Sequence, residues 1–192
     1  MLEETWLGSG PGRQLLWSMD WTIRTTFPSV TQLSTAGLQE MLDKPPDELK
    51  VLLFDVREPE EQAVSRIAGA VNVSPQVHKD ADSVRGILPA GTAQLPTNDG
   101  GSSSSHGADL EAEEVAIVCY CSVGYRSSQL AAAICKAAPE WKGRTFNLEG
   151  SIFRWANEGR PVVDSNGSEV LRVHPFSSVW GKALNASLRH YT

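Results

Sequence analysis

Val115-Ala116-Ile117-Val118-Cys119-Tyr120-Cys121-Ser122-Val123-Gly124-Tyr125-Arg126-Ser127-Ser128-Gln129-Leu130-Ala131-Ala132-Ala133-Ile134 is the stretch that decides the fold class. Its first six residues are an unbroken apolar run, the pattern of a strand buried on both faces of a parallel sheet. Its last eight open on hydroxyl residues and continue in strong helix formers, which predicts a helix. Cys121–Arg126 is the short loop between them. In an open α/β sheet such a loop lies at the carboxyl end of a strand, where ligands bind.

Outward from this stretch the alternation continues. Upstream, Val51-Leu52-Leu53-Phe54 is a second buried strand, preceded by a short helix through Leu38, Met41 and Leu42 that Ser34 caps and Lys44-Pro45-Pro46 ends. A helix through Glu60–Ser65 and a small strand at Ala70-Val71-Asn72-Val73 follow. Downstream, Pro139 stops the helix, Thr145-Phe146-Asn147-Leu148 reads as a strand, and Ile152-Phe153-Arg154-Trp155-Ala156 as a helix ended near Gly159 and Pro161. Alternating strands and helices predict an α/β domain with a mainly parallel sheet.

The 192 residues suffice for one such domain with extensions and are short for two. Residues 1–30 read as an N-terminal extension carrying Trp6, Trp17 and Trp21, and residues 165–192 as a C-terminal extension that packs on the core. Residues 79–113 hold Gly91, Pro96, Gly100-Gly101 and the serines Ser102–Ser105, and they predict a flexible insertion in a domain spanning 31–164. A net charge of −6 argues against broad binding to nucleic acid or to anionic membranes. No apolar run is long enough to span a bilayer. Glu3, Glu4 and Asp20 break the pattern of a secretory signal, so a cytoplasmic location is expected. Three cysteines, Cys119, Cys121 and Cys135, suggest free thiols in a reducing compartment. Cys119 and Cys121 have no second ligand pair nearby, so no metal site is expected.

The chemistry points to Cys121. A loop that curls before a helix N-terminus aims several backbone N–H groups at one spot, and a thiolate or persulfide there is stabilised by those donors and by the helix dipole. Gly124 permits backbone angles that other residues resist. Arg126 adds a permanent positive charge suited to an oxyanion. Cys119 lies inside the strand and Cys135 shares helical spacing with Ala131 and Ala132; both read as core.

These residues carry a resemblance to the rhodanese family over about residues 31–164. Leu53-Phe54-Asp55-Val56-Arg57-Glu58-Pro59-Glu60-Glu61, with Ile67-Ala68-Gly69-Ala70-Val71-Asn72-Val73, is similar to the family's D-V-R-E-P-x-E and I-x-G-A-x-N-[IV] signature. Cys121–Arg126 is similar to its C-x-x-G-x-R loop, and Asn147-Leu148-Glu149-Gly150 with Trp155 to its L-x-G-G-x-x-x-W ending. The resemblance implies a rhodanese-like α/β domain, with a mainly parallel five-stranded sheet flanked by helices on both faces. It implies a sulfurtransferase that moves sulfane sulfur from thiosulfate or a similar donor to a thiol or cyanide acceptor through a Cys121 persulfide. The backbone N–H groups of Ser122, Val123, Gly124, Tyr125, Arg126 and Ser127 would hold the persulfide, and Arg126 would bind the donor. Asp55 and Arg57 would brace the loop by charge-assisted hydrogen bonds. No cofactor is implied. The implied partners are a small-molecule sulfur donor and a thiol acceptor, a protein thiol included.

Three departures from the family pattern are Arg66 where a His is usual near the second signature, Ser151 in place of the second Gly of the ending, and the long insertion. Two other readings stand beside the enzyme. Some phosphatases share this fold, with Arg six positions after the cysteine; here that position is Ser127, and Arg126 comes one residue early. Some rhodanese-like domains are non-catalytic interaction or regulatory modules, and those commonly lack the cysteine that this chain keeps. The tail His174-Pro175-Phe176-Ser177-Ser178-Val179-Trp180-Gly181 resembles an H-P-[FY]-x-x-x-W-G segment of some single-domain rhodanese-like proteins and reads as packing across the core.

Overall fold

The computed structural model describes residues 11–44, 49–89 and 114–191. The two apolar runs form strands β2 (Leu49–Asp55) and β4 (Glu114–Tyr120), which lie side by side in parallel from Leu49 opposite Glu114 to Asp55 opposite Tyr120. Strand β5 (Thr145–Leu148) pairs with β4, β1 (Thr31–Leu33) with β5, and β3 (Val71–Asn72) with β2. The result is a five-stranded sheet of order β1-β5-β4-β2-β3, parallel throughout. The centre of the sheet holds the two most apolar strands because helices cover both of its faces.

Strand alternation sorts the core into two layers. Val115, Ile117 and Cys119 of β4 point to one face, under helices α4 (Ala81–Gly86) and α5 (Tyr125–Ala137), with Val84, Leu130, Ala131 and Ile134. Val118 and Tyr120 point to the other, under α2 (Thr35–Leu42) and α6 (Ser151–Asn157), with Leu38, Ile152, Phe153 and Trp155. Ser34 caps α2 as its chemistry predicts, its side chain accepting the Gly37 N–H at 3.0 Å. Helix α3 (Pro59–Val64) starts with Pro at its first position, where a missing N–H costs nothing.

Elements also form where the sequence reading placed none. The N-terminal extension contains a sixteen-residue helix, α1 (Pro11–Thr26). Gly-Pro-Gly at its start reads as a turn, yet Pro11 suits a first helical turn, and Leu15, Leu16, Met19 and Ile23 recur at helical spacing. Leu16 and Ile23 are buried. Strand β1 is three residues on the sheet edge, too short to show a period. Of the stretch expected as an insertion, 79–89 is described and holds α4, so Ala81–Gly86 belongs to the packed body; a single buried residue, Val84, anchors it, which is too little to show as periodicity. The remainder, 90–113, lies outside the described residues.

After α6 the chain makes an antiparallel hairpin, β6 (Val162–Val163) and β7 (Glu169–Val170). The tail then returns across the face that carries α6, with Val173, Ala183 and Leu184 buried there. Its 3-10 turn Trp180–Ala183 lies against α1. No helix among the described residues is long and apolar enough to cross a membrane.

Candidate active site

The β2–β4 register brings Asp55 level with Tyr120, so the end of one strand stands beside the start of the Cys121 loop. From there the chain turns through Cys121–Gly124 into α5. Gly124 makes the turn with φ +107°, in the region that side chains resist. A Cβ on it would also lie 2.8 Å from Cδ1 of Ile23, so residue 124 has no room for one.

The turn folds the Gly124 N–H back onto the Cys121 sulfur at 3.1 Å. Cys121 is 1% exposed. Burial pushes its thiol up, but the Arg126 charge and hydrogen bonds from Ser127 and Gly124 outweigh burial and leave it below the usual cysteine range. Cys119 is the opposite case: burial on the far face of β4 pushes its thiol far up. Burial also raises Cys135, against which Lys142 pulls only partly. Arg126→Ala should therefore move the Cys121 titration upward. The pH profile of alkylation, followed by mass at Cys121, checks it; an unmoved midpoint would show that the loop N–H groups alone set the thiol.

Arg126 has a partner within the protein. Its Nη1 lies 2.7 Å from Oε2 of Glu61 and its Nη2 2.9 Å from Oε1, a bidentate ion pair. Nη2 also donates to the Ser122 hydroxyl at 3.0 Å, and that hydroxyl donates to Glu61. The ring of Phe176 lies 4.7 Å from the guanidinium carbon. The sequence reading gave Arg126 to the sulfur donor; the structure engages its fork with Glu61. Glu61 is 2% exposed, and although burial alone would raise its carboxyl, Arg126 and Ser122 hold it below the usual range, hence charged.

Asp55 and Arg57 form a second, fully buried pair. Arg57 Nε lies 2.9 Å from Asp55 Oδ1 and Nη2 2.7 Å from Oδ2. Their remaining bonds run to the loop's supports. The Tyr120 hydroxyl donates to Asp55 at 2.8 Å, and Arg57 donates to the carbonyls of Glu61 at 3.3 Å and Ser65 at 2.6 Å. Burial and the neighbouring Asp55 push the Tyr120 phenol far up, so it stays a donor. The brace is thus indirect: Arg57 fixes α3, α3 presents Glu61, and Glu61 holds Ser122 and Arg126.

The ending motif latches the loop from the other side. Ser151, at φ +51°, uses its hydroxyl to accept the Cys121 N–H at 3.1 Å and to donate to the Leu148 carbonyl at 3.2 Å. The N–H groups of Ile152 and Phe153 reach the carbonyls of Cys121 and Ser122, each at 3.2 Å. A family Gly would adopt that φ freely; the Ser that replaces it adds a bond to Cys121 itself. Ser127 donates to Asn147 Oδ1 at 2.6 Å, tying α5 to β5. Val123 is buried beside the core, while Tyr125 is exposed, with its ring edge-on to Phe27 at 5.4 Å. Glu61, Ser151 and Phe176 are the site residues that sequence reasoning did not assign. Glu61 lies inside the D-V-R-E-P-x-E segment, Ser151 departs from the Gly of the ending, and Phe176 belongs to a tail whose sequence indicates packing.

Among the described residues no three His, Cys, Asp or Glu side chains are grouped to hold a metal. What the site does present is one buried thiol of lowered pKa at a strand end, at the N-terminus of a helix, with an ion pair beside it. A parallel α/β fold with that cysteine loop defines a small class of proteins, and the rhodanese-like domain matches residues 35–158. The chain belongs to the rhodanese-like domain family. It is similar to a protein named sulfurtransferase from Allochromatium vinosum, 27% identical over 138 residues that span 72% of this chain and 99% of that one. Two solved structures are similar in fold. One is a protein of unknown function from Rhodopseudomonas palustris, described as a possible tyrosine phosphatase, with TM-score 0.48, 18% identity, and coverage of 77% of this chain and 92% of the other. The second is a rhodanese-like domain protein from Staphylococcus aureus, with TM-score 0.40, 20% identity, and coverage of 68% and 95%.

Proposed function

We propose that the protein is a sulfurtransferase that carries sulfane sulfur as a persulfide on Cys121. The observation that carries this reading is the Cys121 sulfur itself, held at 3.1 Å from the Gly124 N–H with its pKa lowered at a helix N-terminus. The Cys121 thiolate attacks the outer sulfur of thiosulfate or a similar donor. The new S–S bond forms as the donor's own S–S bond breaks, and sulfite leaves with the electron pair. An acceptor thiolate, on a small molecule or a protein, or cyanide then attacks the outer sulfur and expels the Cys121 thiolate. Backbone N–H groups from Ser122 to Ser127 stabilise the persulfide, and Asp55 and Arg57 support them through α3. Arg126 works as a fixed charge beside the thiol, since its fork is occupied by Glu61. A relative named sulfurtransferase supports the reading.

The test is intact mass after incubation with thiosulfate and with inorganic polysulfide, run beside steady-state assays on thiosulfate and on an aryl phosphate. Gain of one sulfur mass, removed again by cyanide, is the expected result. Phosphate release without sulfur loading would overturn the reading in favour of a cysteine phosphatase, and neither activity would favour an interaction module.

A further inference from the structure

Three consecutive residues of the Cys121 loop meet side chains from outside the matched domain. Gly124 faces Ile23 of α1, Tyr125 stacks edge-on with Phe27 just beyond α1, and Arg126 lies under Phe176 of the tail. The two extensions also pack on each other: a Cβ on Gly12 of α1 would fall 2.2 Å from the Lys182 carbonyl oxygen. Beside these contacts Cys121 is only 1% and Ile23 only 1% exposed. A thiol that must meet a donor and then an acceptor is thus buried in a loop whose next residues the extensions hold.

We propose that α1 is a movable cover over the Cys121 loop, seated by Ile23 in the hollow at Gly124 and by Arg24 on Glu149 ahead of α6, and that its opening selects which reagents reach the thiol. Ile23 is shaped to this seat because Gly124 has no side chain; the two positions are complementary. The second anchor is polar. Arg24 of α1 is paired with Glu149 at 2.9 Å, and Arg154 of α6 with the same carboxylate at 2.6 Å.

The proposal rests on Cys121 being the working thiol, and its test reads access and not transfer, so that failure of one is distinct from failure of the other. Ile23→Ala in the full chain should raise the rate of Cys121 alkylation by iodoacetamide, mapped by peptide mass, by more than about threefold, with Cys119 still unlabelled. A rate within about threefold of wild type overturns the proposal, and so does parallel labelling of Cys119, which reports opening of the core. Arg24→Ala supplies a second arm that leaves the apolar seat intact. It should raise the Cys121 labelling rate by about twofold, with Cys119 again unlabelled. A rate equal to that of wild type overturns the polar anchor and with it the cover as proposed. Sulfur loading by thiosulfate, measured in parallel, reports on the sulfurtransferase reading alone.

Discussion

Replacing Cys121 by Ser is expected to abolish sulfur loading completely and to leave the fold in place. Only one of the three cysteines has the environment for the task. Cys119 is fully buried between sheet and helices, and its thiol is pushed far above neutrality. Cys135 lies on α5, half-buried, with a thiol raised and not lowered. Cys121 alone combines a lowered pKa with N–H donors aimed at the sulfur. A serine oxygen at the same place accepts the Gly124 N–H, so the turn keeps its bond. The hydroxyl is not ionised near neutral pH and is a poor nucleophile without an adjacent base. Intact mass after thiosulfate should show no added sulfur in the variant, with a thermal midpoint close to that of wild type. Added sulfur that persists, and maps by peptide mass to Cys119 or Cys135, would remove Cys121 from its assigned role.

The parts of the site that could be read from sequence are those where chemistry and chain neighbours coincide. Strand β4, the Cys121 turn and α5 follow one another without a break, so apolar run, glycine and helix formers announce them together. The same holds for Asp55 and Arg57, two residues apart on a strand end. What the loop is tied to was not legible. Glu61 meets Arg126 only because Arg57 holds α3 at a particular angle, and Arg57 does so through the carbonyls of Glu61 and Ser65, contacts that no side-chain pattern encodes. Phe176 reaches the guanidinium from the tail through a backbone at φ +61°, which residue type does not foretell. Helix α1 is a different kind of miss. Its apolar spacing was present, but Gly-Pro-Gly and exposed Trp17 and Trp21 disguised the amphipathic pattern. The reading of residues 90–113 as flexible falls outside the described residues.

Arg57→Ala should be the most destabilising single change at the site, at about 3–5 kcal/mol. The guanidinium is wholly buried and holds four oxygen acceptors: both oxygens of Asp55 and the carbonyls of Glu61 and Ser65. Once it is removed, Asp55, 1% exposed beside Arg57, keeps only the Tyr120 hydroxyl and the residue-57 backbone N–H as donors. The substitution also strands two carbonyls and opens a cavity. An uncompensated buried charge accounts for most of the loss, and the stranded acceptors and cavity add to it. Against a total stability of about 5–15 kcal/mol, such a loss brings the domain near its unfolding threshold. Arg57→Lys separates the causes, since it keeps the charge and loses the fork. Wild type, Lys variant and Ala variant should fall in that order in urea midpoint, with the slope of the transition unchanged. The loss also travels to the thiol. Without Arg57, α3 loses its tie at both Glu61 and Ser65, Glu61 loosens its grip on Ser122 and Arg126, and the Cys121 titration should drift upward in whatever fraction remains folded. An Ala variant within about 1 kcal/mol of wild type would mean that the buried pair is dispensable to the fold, and that the loop is braced from α6 alone.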